Sequence, residues 1–304
     1  MIQPVLLVLN KLIKRTNWYK SQLADGLKFR KDISCELDLC NLGSNSGNYA
    51  FDYEGTGLKA ENWAVGPQTL SYDFRVLKNY FSYLKEGATV LIPICPFSCC
   101  VKDFEDDSVN NKYYSFLHPK LILNYSKTTN NKTMRFVNTP FQQSPLTSLK
   151  RLIRDIPLAD TQNELKAEKF LEMDAESWMT SWKKQFNISD LNAPLSEQNS
   201  DCKNFNTRLL SDIISFCLER NLQPVVLLPP VSKALNSKFS ETFRENYIYS
   251  FVRESIHDGI PFLDYFDDSQ FLDSSLYFDA LFMNRKGAKL FTKQVLNDLH
   301  LDKE

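Results

Sequence analysis

Two short, nearly unbroken apolar runs constrain this fold more than any other feature: Thr89-Val90-Leu91-Ile92-Pro93-Ile94 and Pro224-Val225-Val226-Leu227-Leu228, the second stopped by Pro229-Pro230. A strand with one face in water alternates apolar and polar residues, whereas a run without alternation is covered on both faces. Strands covered on both faces belong to parallel sheets, whose connections cross over through helices. The sequence supplies such helices. Leu70, Phe74, Leu77, Tyr80, Phe81 and Leu84 recur at three and four residues and stop near Gly87. Leu209 to Leu218, Phe243 to Ile256 and Lys286 to Leu299 read the same way, the last with Leu290, Phe291, Val295 and Leu299 on one face. Two further strands are predicted over Ile33–Leu42, where Ile33, Cys35, Leu37 and Leu39 alternate, and over Pro261–Tyr265. The predicted class is α/β, a three-layer αβα sandwich around a parallel sheet.

Rhythm also divides the chain. An N-terminal helical segment, 1–32, precedes a domain over 33–304 that is interrupted at about 101–203. The interruption holds a polar cluster at Ser126–Thr133, a basic helical piece near Leu149–Ile156, a Trp178/Trp182 pair at helical spacing, read as packing anchors, and a polar linker at Asn187–Lys203. At the start, Val5-Leu6-Leu7-Val8-Leu9 is followed by Lys11, Lys14 and Arg15. The run is too short to span a bilayer, which needs about 20 residues, and lacks a small-residue cleavage site. It predicts an amphipathic helix capable of peripheral membrane contact, and a chain that is cytoplasmic or peripheral to the inner face of the membrane.

Composition narrows the function classes. With 36 basic and 37 acidic residues the net charge is about zero, so composition gives no electrostatic case for nucleic acid or for an anionic membrane surface. The seven cysteines fall mostly in apolar segments without zinc-site spacing, so they read as buried thiols. Asp103, Glu105, Asp106 and Asp107 form an acidic run with no histidine near, read as a solvated loop. No glycine-rich phosphate loop follows a strand, which argues against a nucleotide site. No metal and no cofactor is expected.

Polar groups converge instead at two loops. The first strand empties into Gly43-Ser44-Asn45-Ser46-Gly47, and Asp279 to Gly287 leads into the terminal helix. Ligands and catalytic groups of open α/β sheets collect beyond the carboxyl ends of the strands. The segment from Gly43 to Gly66 holds five of the chain's nine glycines, so backbone there bends sharply or approaches something closely. A serine hydroxyl is a poor nucleophile until a base takes its proton. The three histidines, His118, His257 and His300, stand in the insertion, at a helix end and near the C-terminus.

Five stretches carry a resemblance: Asn41–Tyr53, Asn62–Phe74, Ala88–Ser98, Gln223–Ser232 and Asp279–Thr292. In content and order the chain resembles the SGNH (GDSL-like) hydrolase superfamily, within it a branch encoded among bacterial surface-polysaccharide genes. Members of that branch show an Asn-Leu-Gly-Ser-Ser-His-Gly type first block and a late Asp-x-x-His-x-Asn-x-x-Gly block. The resemblance implies a flavodoxin-like sandwich in which a serine after the first strand attacks an ester carbonyl, a late histidine acts as base, and an aspartate three residues earlier orients it. Gly43, Gly66, Gln68 and Asn284 then fall to the substrate and oxyanion side. This chain departs from the pattern where protons move: the nucleophile position falls on Asn45, between Ser44 and Ser46, and the base position on Phe282, while Asp279 remains.

Two expectations follow. In one, the chain is a catalytically degenerate SGNH-like protein that binds a glycan or acylated carbohydrate in surface-polysaccharide modification. In the other, it is an active O-acetyl esterase or acyltransferase that uses Ser44 or Ser46, with Asp279 or a water held by it as base.

Overall fold

The computed structural model describes residues 2–30, 34–104, 107–156 and 168–302. Five strands form one sheet: β1 (Leu37–Asn41), β2 (Ala60–Asn62), β3 (Leu84–Pro93), β4 (Gln223–Leu228) and β5 (Phe262–Asp264). Their spatial order is β2-β1-β3-β4-β5 and every pairing is parallel. That is the doubly wound order whose switch point lies between the first and third strands. The α/β class with a parallel sheet follows as expected.

The helices, in chain order, are α1 (Ile2–Ile13), α2 (Asn17–Leu23), α3 (Asn45–Ala50), α4 (Leu70–Tyr80), α5 (Lys127–Asn138), α6 (Pro140–Gln143), α7 (Pro145–Ile153), α8 (Glu168–Gln185), α9 (Glu197–Leu218), α10 (Lys233–Asn236), α11 (Glu241–Phe243), α12 (Ser250–Ser255) and α13 (Arg285–Asp298). Strand pleat divides the apolar residues between two faces. Leu39, Leu91, Val225 and Leu227 cluster with Phe291, Val295 and Leu296 of α13. Their neighbours Cys40, Val90, Ile92, Val226 and Leu228 are fully buried on the other face. There α9 packs on β4 and on α4, with Phe74 and Phe216 edge to face at 5.4 Å.

Several boundaries differ from the predicted ones. The first strand begins at Leu37 because Glu36 adopts a left-handed φ of 57°; Cys35 is exposed, and Ile33 lies outside the described residues. β2 has no apolar pattern and is held by pairing with β1 alone. β3 starts at Leu84, before a register shift against β1 near Gly87, whose φ is 74°. The expected polar linker ends early: Ser196 caps α9 by accepting the Asn199 N–H, and the helix runs from Glu197. In its polar first half Asn199 and Asn206 are buried among otherwise largely exposed residues, Asn199 donating to the Phe186 carbonyl and Asn206 to those of Cys99 and Val101.

The chain divides into two compact units, Met1–Ile33 with Phe104–Asp160, and Ser34–Asp103 with Thr161–Glu304. The first is helical, with Ile13, Tyr19, Leu23 and Val137 at its centre. The second contains the sheet. Within it α8 docks through Trp182, whose ring meets Phe97 at 4.9 Å. Among the described residues, no helix is long and apolar enough to cross a membrane.

Candidate functional site

The corner after β1 is built from backbone geometry that few sequences permit. Gly43 has φ +115°, a region closed to most side chains. At Gly47 a Cβ would lie 2.6 Å from the Leu42 carbonyl oxygen, so the turn of chain into α3 closes only over glycine. Two amides at the ends of β1 and β2 tie the corner down. Asn41 Nδ2 donates to the Leu42 oxygen at 3.0 Å and to Asn62 Oδ1 at 3.0 Å, while Asn62 Nδ2 reaches the carbonyls of Gly47, Asn48 and Phe51 at 3.2 to 3.3 Å.

Below the corner sits a carboxyl group. Asp73, on α4, is buried, and its Oδ1 accepts the Gly43 N–H at 2.8 Å and the Gln68 Nε2 at 2.5 Å. Burial pushes this carboxyl up to about 7, against the opposing pull of the hydrogen bonds from Gln68 and Gly43. Gln68 also donates from Nε2 to the Gly43 carbonyl, at 3.1 Å, and from its backbone to Ser44 Oγ, at 3.0 Å. Gly43 and Gln68, assigned by the resemblance to the oxyanion side, are thus engaged within the fold, and Ser44 accepts a hydrogen bond that orients its hydroxyl. Asn45 lies on Gly66, its amide filling the space a Cβ would need there.

Ser46 faces elsewhere. It lines a narrow crevice, with only about 10 Å³ of room, together with Cys95 and Pro96 after β3, Pro229 and Pro230 after β4, and Leu281 and Met283 of the late loop. Carboxyl ends of three adjacent strands therefore contribute to one place, as the switch-point rule requires.

The late loop is held by Asp279, whose Oδ1 accepts the N–H of Leu281 at 2.7 Å and of Phe282 at 3.0 Å. This folds the loop so that the Phe282 ring, only 8% exposed, packs against Tyr49 of α3 at 5.1 Å, Phe278 at 6.0 Å and Trp178 of α8 at 5.7 Å. The two loops singled out in the sequence meet through Tyr49 and Phe282. Trp178 also stacks obliquely on Trp182 at 5.2 Å, so one tryptophan of the pair anchors α8 and the other reaches the corner. Asn284 is the N-cap of α13: it accepts the Gly287 N–H at 3.0 Å and donates to the Ser275 carbonyl at 2.7 Å.

Histidines lie elsewhere in the network. His257 Nε2 is 3.1 Å from Ser211 Oγ, His118 Nδ1 accepts the Lys120 N–H in the helical unit, and His300 follows α13 in a left-handed conformation. None lines the crevice. Among the described residues, no group of three His, Cys, Asp or Glu side chains is arranged to hold a metal ion.

Sequence reasoning did not single out Asp73, Tyr49 or Phe278. Asp73 reads as a polar position on an amphipathic helix, and only the Gly43 turn folded over it makes it a buried group. Tyr49 and Phe278 carried one available signal: each is an aromatic within four residues of a singled-out position. Chemically, this part of the chain offers the hydroxyls of Ser44 and Ser46, the Asn45 amide and, around Phe282, a cluster of aromatic rings; among the described residues, none of the three histidines lines the crevice that Ser46 faces. Compared with models of known protein families and with curated proteins, the chain matches none.

Proposed function

We propose that this chain is an SGNH-hydrolase-like protein of bacterial surface-polysaccharide modification, in which ester cleavage has been lost and the strand-end corner binds a glycan. One observation carries the reading: the position of the family's catalytic base is Phe282, a ring packed by Tyr49, Phe278 and Trp178. A phenyl ring takes no proton, so position 282 cannot raise the nucleophilicity of Ser44 or Ser46 as the family's histidine would. Loss of the base from such a triad costs several orders of magnitude in rate. Tyr49, Phe278 and Trp178 around it are half-buried aromatic rings, of the kind on which the C–H face of a pyranose stacks, and the Asn45 amide suits sugar hydroxyls.

The esterase or acyltransferase reading keeps one observation in its favour, the position of Ser46 in a crevice shared with the late loop. Against it, the Asp279 carboxylate is occupied in holding Leu281 and Phe282.

Calorimetric titration with O-acetylated and de-acetylated oligosaccharides, alongside an aryl-acetate assay, tests the proposal. Native protein is expected to bind the sugar, to lose that binding on Trp178→Ala, and to show no turnover. Absence of sugar binding, or turnover that falls in Ser44→Ala or Ser46→Ala, would refute it. The paired change Asn45→Ser with Phe282→His is expected to introduce measurable aryl-acetate cleavage.

A further inference from the structure

Charge is divided unevenly along this chain. The helical unit, Met1–Ile33 with Phe104–Asp160, holds 15 Lys and Arg against 7 Asp and Glu, a net of +8, while the whole chain stands at −1. The balanced total conceals a basic unit.

Two helices of that unit also leave apolar stripes uncovered. On α1, Val5, Val8 and Leu12 share one face and are 58%, 56% and 41% exposed. Lys11 and Arg15, both exposed, border the stripe. On α7, Leu146, Leu149 and Ile153 repeat the same spacing at 78%, 44% and 87% exposure, bordered by the exposed Lys150 and Arg154. Both helices are fixed from behind. Ile13 is buried in the unit's core, Asn10 Oδ1 accepts the Phe141 N–H at 2.9 Å, and Asp155, just past α7, accepts the Asn17 N–H at the start of α2 at 2.8 Å. The stripes are therefore ordered surface, not the frayed ends of helices.

We propose that this helical unit binds an anionic membrane surface, with the apolar stripes of α1 and α7 in the acyl boundary and the flanking cations among the headgroups. An apolar stripe edged with cations complements a surface that is apolar beneath and anionic above. Nucleic acid matches only the cations, because a phosphate backbone gives nothing to Leu146 or Ile153. The expected contact through the N-terminal helix is thereby extended to a second helix, distant in sequence, and to a stated lipid charge.

Flotation of the full chain with phosphatidylcholine vesicles, and with vesicles enriched in phosphatidylglycerol, tests this. Binding is expected only to the second kind, and is expected to weaken as salt rises. Lys150→Gln with Arg154→Gln should reduce affinity about fivefold per side chain and flatten the salt dependence. Leu149→Ser with Ile153→Ser should reduce affinity at least tenfold while leaving the salt dependence intact. Circular dichroism checks that each variant is folded, and Val8→Ser with Leu12→Ser repeats the test on α1 should the α7 pair fail to fold. No flotation with anionic vesicles would overturn the proposal. So would serine variants that float like the native chain, or a short RNA or DNA duplex that binds more tightly than the vesicles and equally well to those variants.

Discussion

Asp73 makes the stability of this protein depend on pH in a direction opposite to that of most carboxylates. Its folded-state value is about 7 against an ordinary 3.8. Below about pH 4 both the folded and unfolded chains carry the proton, and the group costs nothing. Between about pH 4 and about pH 7 the folded protein keeps a proton that the unfolded chain releases, so stability falls by about 1.4 kcal/mol per pH unit. Above about pH 7 the loss is complete, at roughly 4 kcal/mol for a shift of about three units. Other groups titrate over the same range, so the informative quantity is the difference from Asp73→Asn, which stays neutral and keeps an acceptor for the Gly43 N–H. Urea unfolding of both proteins, followed by circular dichroism from pH 4 to pH 8, is expected to show the variant gaining on the native protein by up to about 4 kcal/mol as pH rises. Two stability profiles that run parallel across the whole range would refute the reasoning, because they would mean that the carboxyl ionises at its ordinary value beneath the corner.

Further changes probe the parts of the corner separately. Gly47→Ala places a methyl against the Leu42 carbonyl and should cost about 1–3 kcal/mol or more, read as a lowered urea midpoint with an unchanged slope. Asn284→Ala removes the N-cap of α13 and leaves the Gly287 N–H without its acceptor; about 1–2 kcal/mol is expected, with sugar binding retained if the residue serves only as a cap. Phe282→Ala empties a buried aromatic site and should cost about 3–5 kcal/mol by thermal or urea unfolding.

How much of this was legible beforehand depends on whether local pattern or tertiary closure decides a residue's role. β3 and β4 lie in the middle of the sheet, so burial on both faces leaves an apolar run that anyone can read. β2, by contrast, is a strand only because β1 has an edge to offer, and Ala60-Glu61-Asn62 carries no pattern of its own. The first half of α9 reads as a linker because Asn199 and Asn206 are buried amides, satisfied by carbonyls that sequence does not reveal. Both loops of the candidate site were visible as polar segments at strand ends. Roles within them were not: Gly43 and Gln68 are bound to Asp73, Asn284 is a helix cap, and Trp178 reaches Phe282 only because Trp182 seats α8 on the sheet unit. The basic excess of the helical unit is hidden by arithmetic, since it cancels against the acidic remainder of the chain.

The proposed function requires the corner between α3 and the late loop to bind carbohydrate without cleaving an ester. A proton NMR experiment on the native chain with an O-acetylated oligosaccharide reports both events in one sample. Saturation transfer from the aromatic side chains to the sugar protons, with no growth of a free acetate signal, is the predicted result. Steady acetate release that disappears in Ser46→Ala or Ser44→Ala would contradict it.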